Sequence, residues 1–238
     1  MPKDLKKSLK ESAFNLGIDV FGVADLNNFD FTNSPTAPND LTSNFTRGVS
    51  VAMALPKGIF KKIKDKPTPE YAKYYTSVNE QLDLITLKLA KHIERYGYTA
   101  LPIPASQKIV VEGLFGSAIT HKAVARLAGV GWQGKSLLII SPEFGPRIRI
   151  ATILTDAPLE ADTPIEFQCG KCQKCKKACP SDAIKGVPPA ESFYKNREEA
   201  LYFDRCFNKL VNEFSNLPSV SQSICGFCIK ACPYSGIK

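Results

Sequence analysis

The chain has 238 residues, 44% of them hydrophobic, which is enough to bury one sizeable core and a smaller one beside it. No apolar run approaches the roughly 18 residues that cross a bilayer, so no membrane partner is expected. The formal charge is +8. That mildly basic balance permits an anionic partner without requiring one.

The N-terminal MPKDLKKSLKES has basic residues but no apolar region behind them and no twin-arginine pair, so it reads as a helix and not a targeting segment. Eight cysteines in such a chain point to a reducing cytoplasm. Over residues 4–16, Leu5, Leu9, Ala13 and Leu16 share one helical stripe, with Asp4 placed to cap the start and Gly17 the end. IDVFGVADL predicts a buried strand, residues 27–46 a loop, and Gly48 to Leu55 a second strand. The basic stretch Lys57 to Lys66 interleaves Lys61, Lys62 and Lys64 with Ile59, Phe60 and Ile63. It reads as a solvated loop with apolar anchors, the alternative being an anion-binding lip. A long helix is predicted over Asn79 to Tyr96, burying Leu82, Ile85, Leu89 and Ile93; His92 beside that stripe reads as a satisfied surface histidine.

YTALPIPAS predicts a strand running into a loop, and Thr120 an N-cap for a helix carrying His121, Lys122, Val124 and Leu127. That helix ends in AGVGWQGKS, where glycines surround Trp132 and Lys135 follows. Such a turn lets a backbone approach a flat or anionic ligand, and a structural turn with a packed tryptophan explains it equally well. The strands SLLIIS and RIRIATILT follow, and DAPLEADTP links onward. The fold class expected is therefore an α/β (α+β) layered core over 1–158 and a cysteine-rich, ferredoxin-like module over 159–238.

The cysteines carry the strongest signal. Cys169 to Pro180 reads CGKCQKCKKACP, the C-x2-C-x2-C-x3-C-P run that holds cubane iron–sulfur clusters, with the fourth thiolate turned to a second cluster. A partial copy, Cys225, Cys228 and Cys232 before Pro233, lies downstream, and Cys206 sits between. Eight cysteines match two 4Fe-4S clusters. By ligand exchange, one cluster takes Cys169, Cys172, Cys175 and Cys232, and the other takes Cys179, Cys206, Cys225 and Cys228. Zinc is the competing reading, although zinc sites usually take two such pairs or add histidine; a disulfide framework does not suit a chain of this length. With each cluster and its thiolates at roughly −2, the net charge would fall to about +4.

The segment THKAVARLAGVGWQGKSLLIISPEFGPRIRIATILTDAPL, followed by CGKCQKCKKACP and CGFCIKACP, resembles the epoxyqueuosine reductase family and its corrinoid-dependent relatives, the reductive dehalogenases. GIDVFGVADL also fits the family's opening. The resemblance is to a short form without the family's C-terminal helical repeats. It implies a cobalamin, with flavin as the alternative, on a nitroreductase-like core near Lys122, Gly131, Trp132, Gly134, Lys135 and Ser136. It also implies two clusters fed by a low-potential donor such as ferredoxin or flavodoxin, and tRNA as substrate. Where the family places an acidic proton donor this chain has Phe115, leaving Glu112 and His121 as the nearest proton carriers. The function expected is an iron–sulfur reductase. The alternatives are an electron-transfer protein that reduces a partner corrinoid or flavin protein, without tRNA activity, and a binding domain that its clusters merely staple.

Overall fold

The computed structural model describes residues 2–27, 44–106, 109–111, 114–116 and 119–237. In chain order these form α1 (Pro2–Asn15), β1 (Val20–Asp25), β2 (Arg47–Ala54), α2 (Lys57–Lys61), α3 (Pro69–Glu94) and β3 (Ala100–Ile103). A hairpin of β4 (Ile109–Val111) and β5 (Leu114–Gly116) follows, then α4 (His121–Leu127), β6 (Trp132–Gln133), β7 (Ile139–Ile140) and β8 (Ile148–Thr155). The cysteine-rich stretch contributes the short helices α5 (Lys174–Lys177), α6 (Arg197–Ala200), α7 (Phe203–Asn208) and α8 (Phe227–Ala231). Most of the expected loop over 27–46 falls outside the described residues. No described helix is long and apolar enough to cross a membrane.

The chain divides into two compact units that interleave along the sequence, where the composition suggested a cut at 158/159. The first comprises Met1–Met53, Val78–Gly131 and Arg149–Ile165; the second comprises Ala54–Ser77, Trp132–Ile148 and Glu166–Lys238.

In the first unit a four-stranded sheet runs in the order β1-β2-β8-β3, with β1 antiparallel to β2 and β3 antiparallel to β8. Leu5, Leu9 and Ala13 of α1 pack with Leu82, Ile85, Leu89 and Ile93 of α3 against Val49, Val51, Ala151 and Ile153. The 3.6-residue period of both helices thus meets the two-residue period of the strands on one sheet face. The alternate residues Gly22 and Gly48 face α4 on the other side. A Cβ on Gly22 would lie 2.0 Å from the Ala128 carbonyl oxygen, and one on Gly48 would lie 2.7 Å from Val124 Cγ1. These glycines let the helix sit directly on the strands. The DAPLEADTP stretch is anchored too: Asp162 accepts the Val23 N–H at 2.8 Å and the Lys6 ammonium at 2.7 Å.

Two helical expectations shift. α1 begins at Pro2, which puts Asp4 in its first turn and not at its cap. α3 begins directly after Thr68, whose hydroxyl accepts the Tyr71 N–H at 3.2 Å, so the helix takes in Tyr71, Tyr74 and Tyr75 ahead of the predicted start at Asn79. His92 is satisfied, its Nε2 3.0 Å from the Ser8 hydroxyl and its ring stacked on Tyr96.

The second unit has little regular structure. β6 pairs with β7, and Ile184, Tyr194, Ala200 and Leu201 form a small buried cluster. The basic stretch 57–66 folds partly as α2, with Ile59, Phe60 and Ile63 buried and Lys61, Lys62 and Lys64 exposed. Its anchors meet the second cysteine motif: Gly226, at φ +86, opens α8 so close to Ile63 that a Cβ would come within 2.5 Å of Cδ1. Lys230 donates to the Ile63 carbonyl at 2.5 Å.

Candidate metal centre

The first cysteine motif forms a tight loop. Cys172 N–H donates to the Cys169 carbonyl at 3.0 Å, and α5 then carries Cys175, with Cys179 just past its end. Cys169, Cys172 and Cys175 line one cavity, and the fourth thiol in that cavity is Cys232, from the second motif. The other four are also neighbours. Cys225 feels the charge of Cys206 and Cys179, and Cys228 feels Cys225, Cys206 and Cys179. Cys228 also feels Cys175, so the two groups adjoin there; Cys175, Cys179 and Cys228 pack against the small cluster around Ile184.

Burial pushes the Cys175, Cys225 and Cys232 thiols up to about 11, and Cys228 well above its ordinary value, the neighbouring thiols adding to the effect. A cationic iron core reverses that preference, since it needs thiolates and supplies the positive charge that burial removes. Among the described residues no three His, Cys, Asp or Glu side chains converge as a single ion requires. Zinc draws its sulfurs to about 2.3 Å from one point. Four thiols lining one cavity are the number a multi-atom cubane core takes. The donor set fits a cubane cluster.

The glycine turn lies against this loop. Trp132, fully buried, directs its indole Nε1–H at Cys169 Sγ from 3.5 Å, with the Tyr234 ring edge-on at 4.7 Å. Lys135, 2% exposed, donates to the carbonyls of Gly170 at 2.7 Å and Cys172 at 3.1 Å. A Cβ on Gly134 would lie 3.5 Å from Cys169 Sγ and 2.7 Å from Ile140 Cγ1. Ser136 lines the same cavity. Of the six residues expected at a cobalamin, four are therefore engaged around the first cysteine loop and offer it no open cradle. Gly131 ends the first unit's middle segment, and Lys122 lies on α4. No step through a corrinoid is derived from these residues.

Of the two proton carriers, Glu112 lies outside the described residues. Phe115 is paired through its backbone with Val110 in the β4–β5 hairpin. His121 is held by two partners. Its Nε2 lies 3.0 Å from the Pro104 carbonyl, which can only accept, so Nε2 carries the proton and Nδ1 accepts from the Thr152 hydroxyl at 2.8 Å. Burial lowers its pKa to about 4, the Pro104 bond opposing and Arg149 assisting. At neutral pH this is a neutral imidazole with both nitrogens occupied.

Residues 168–235 match the 4Fe-4S double cluster binding domain. The chain is 30% identical over 212 residues to the epoxyqueuosine reductase of Listeria monocytogenes, covering 76% of this chain and 53% of that protein. The chain is a relative of the epoxyqueuosine reductases. It spans about half the length of that relative. Among solved structures it superposes on a catabolic reductive dehalogenase with a TM-score of 0.74 at 19% identity, over 99% of this chain and 32% of that one. It superposes on an epoxyqueuosine reductase holding an epoxyqueuosine-modified tRNA stem loop with a TM-score of 0.62 at 24% identity, over 98% and 66%. At these identities the superpositions speak for a shared mixed α/β fold. From sequence the glycine turn is open between a ligand cradle and a structural turn with a packed tryptophan; the structure buries Trp132 and puts it and Lys135 against the cysteine loop, a neighbour the sequence does not indicate.

Proposed function

We propose that this chain is an iron–sulfur oxidoreductase with two 4Fe-4S clusters, one held by Cys169, Cys172, Cys175 and Cys232, the other by Cys179, Cys206, Cys225 and Cys228. The observation that carries this reading is the exchange of thiols between motifs, with Cys232 in the cavity of the first motif and Cys179 beside the second. When bound, such clusters supply one-electron transfer at potentials set by charge, hydrogen bonds and burial. The protein keeps the two groups adjacent through Cys175 and Cys228, and leaves the lysines of α5 exposed for a low-potential donor protein such as ferredoxin or flavodoxin. The names of its relatives extend the proposal to a bound corrinoid as the final acceptor and to epoxyqueuosine-containing tRNA as the substrate. The corrinoid would have to be gripped by groups other than Trp132, Gly134 and Lys135, and the proton supplied by a group other than His121.

The test is anaerobic reconstitution, with iron and sulfide content, reduced spectra with and without cobalamin or flavin, and turnover of epoxyqueuosine-containing tRNA. Two clusters with cobalamin binding and turnover are expected. Fewer than two clusters would overturn the ligand assignment. Two clusters without cobalamin binding would favour the second reading, an electron-transfer protein for a partner corrinoid or flavin protein. The occupied nitrogens of His121 favour that reading, because His121 is one of the two proton carriers expected in place of the family's acid.

A further inference from the structure

Lys135 raises an electrostatic problem. Its side chain is buried, its ammonium touches two neutral carbonyls, and no carboxylate among the described residues pairs with it. Removing an ammonium from water costs several kcal/mol unless an anion is close. Among the described residues lining its cavity, the thiols are the groups suited to supply negative charge, and its two carbonyl partners belong to the loop bearing Cys169 and Cys172. Trp132 adds a second donor on the same half of the site, its N–H on Cys169 Sγ fixed by complete burial and by Tyr234.

The second group of cysteines is served differently. The Ala183 N–H meets Cys179 Sγ at 3.3 Å, and the nearby cation, Lys209, is already paired with Glu213. One site has an uncompensated buried cation. The other has a cation neutralised by its own salt bridge.

A cubane with four thiolates carries roughly −2 and gains one further negative charge when it takes up one electron. An N–H aimed at a ligand sulfur and a desolvated ammonium both favour the more negative state, more strongly than they would in water. We propose that Trp132 and Lys135 are positioning residues that raise the reduction potential of the Cys169–Cys172–Cys175–Cys232 cluster, with Lys135 as that cluster's counter-ion. The inference rests on the cluster assignment proposed above. The electron comes from the low-potential donor protein and leaves to the next acceptor; no bond is made or broken, and only the equilibrium of that one-electron addition is shifted.

The experiment uses the full chain with reconstituted clusters. Iron and sulfide content and the number of reduced-state signals come first; a deficit there removes the assignment itself and does not bear on tuning. Redox titrations followed by electron paramagnetic resonance then compare the protein with Trp132→Phe and Lys135→Gln. Each variant is expected to make one cluster harder to reduce by about tenfold, 59 mV for a one-electron couple, and to leave the other in place. Unchanged potentials in fully loaded variants, or equal shifts of both clusters, would overturn the proposal. Because the chain has a single tryptophan, 15N-indole labelling of the unmutated protein gives a second readout. A 15N hyperfine coupling to one reduced cluster is expected, and its absence overturns the proposal whatever the variants do.

Discussion

The two units are held together by different physics. In the first, two amphipathic helices bury Leu5, Leu9, Leu82, Leu89 and Ile93 on a sheet, and removal of that apolar surface from water supplies the driving force. In the second, the helices of the cysteine-rich stretch are short, and buried side chains such as Phe60, Ile63, Trp132 and Ile140 share the interior with eight partly buried thiols. Burial alone disfavours the ionised form of those thiols. One unit rests on apolar burial; in the other, apolar burial is joined by thiols that it leaves poorly ionised.

Metal removal tests that contrast with the largest expected effect. Chelation under reducing conditions should abolish protection from amide exchange across 166–237 and leave the amides of α1, α3 and the four-stranded sheet protected. Uniform loss across both units would show that the first does not stand on its own burial. Leu9→Ala attacks the opposite side of the comparison. It should cost about 3 kcal/mol in denaturant unfolding of the first unit, with iron content unchanged. Gly22→Ala forces a Cβ onto the Ala128 carbonyl and should cost about 2 kcal/mol, because backbone and not a flexible side chain must give way. A cost near zero would mean that α4 is not seated on β1 as described.

An effect of similar size is a pH dependence in the first unit. His121 takes a proton near 6.5 when unfolded and only near 4 when folded. Between those values the unfolded chain binds more protons, so stability is intact above about pH 6.5 and falls as pH drops toward 4. From pH 7 to pH 5 the loss should be about 2 kcal/mol. His121→Gln should flatten that slope, as read from denaturant midpoints at the two pH values; an unchanged slope would place the titration elsewhere.

Much of the first unit was legible because its signals are periodic. The stripes Leu5–Leu9–Ala13 and Leu82–Ile85–Leu89–Ile93 announce helices with one buried face, and β-branched runs announce β1, β2 and β8. The early start of α3 was also written in the chain as Thr68-Pro69-Glu70, a cap followed by proline and an acid in the first turn; three tyrosines in the next turn obscured it. At the candidate site, thiol spacing identified the cluster chemistry, since ligands of one loop are local. What spacing does not encode is a partner about 35 residues away, so Trp132 and Lys135 gave no sign of Cys169 and Gly170. A lone tryptophan and a lysine among glycines signal close packing but not what they pack against.

The ligand exchange proposed above also implies an order of events during biosynthesis. Cys169, Cys172 and Cys175 leave the ribosome well before Cys232, and Cys179 well before Cys225 and Cys228. Since each group draws on both motifs, neither can close while the second is still inside the ribosomal tunnel. On that assignment, Cys169, Cys172, Cys175 and Cys179 must stay reduced and unligated until the second motif has emerged.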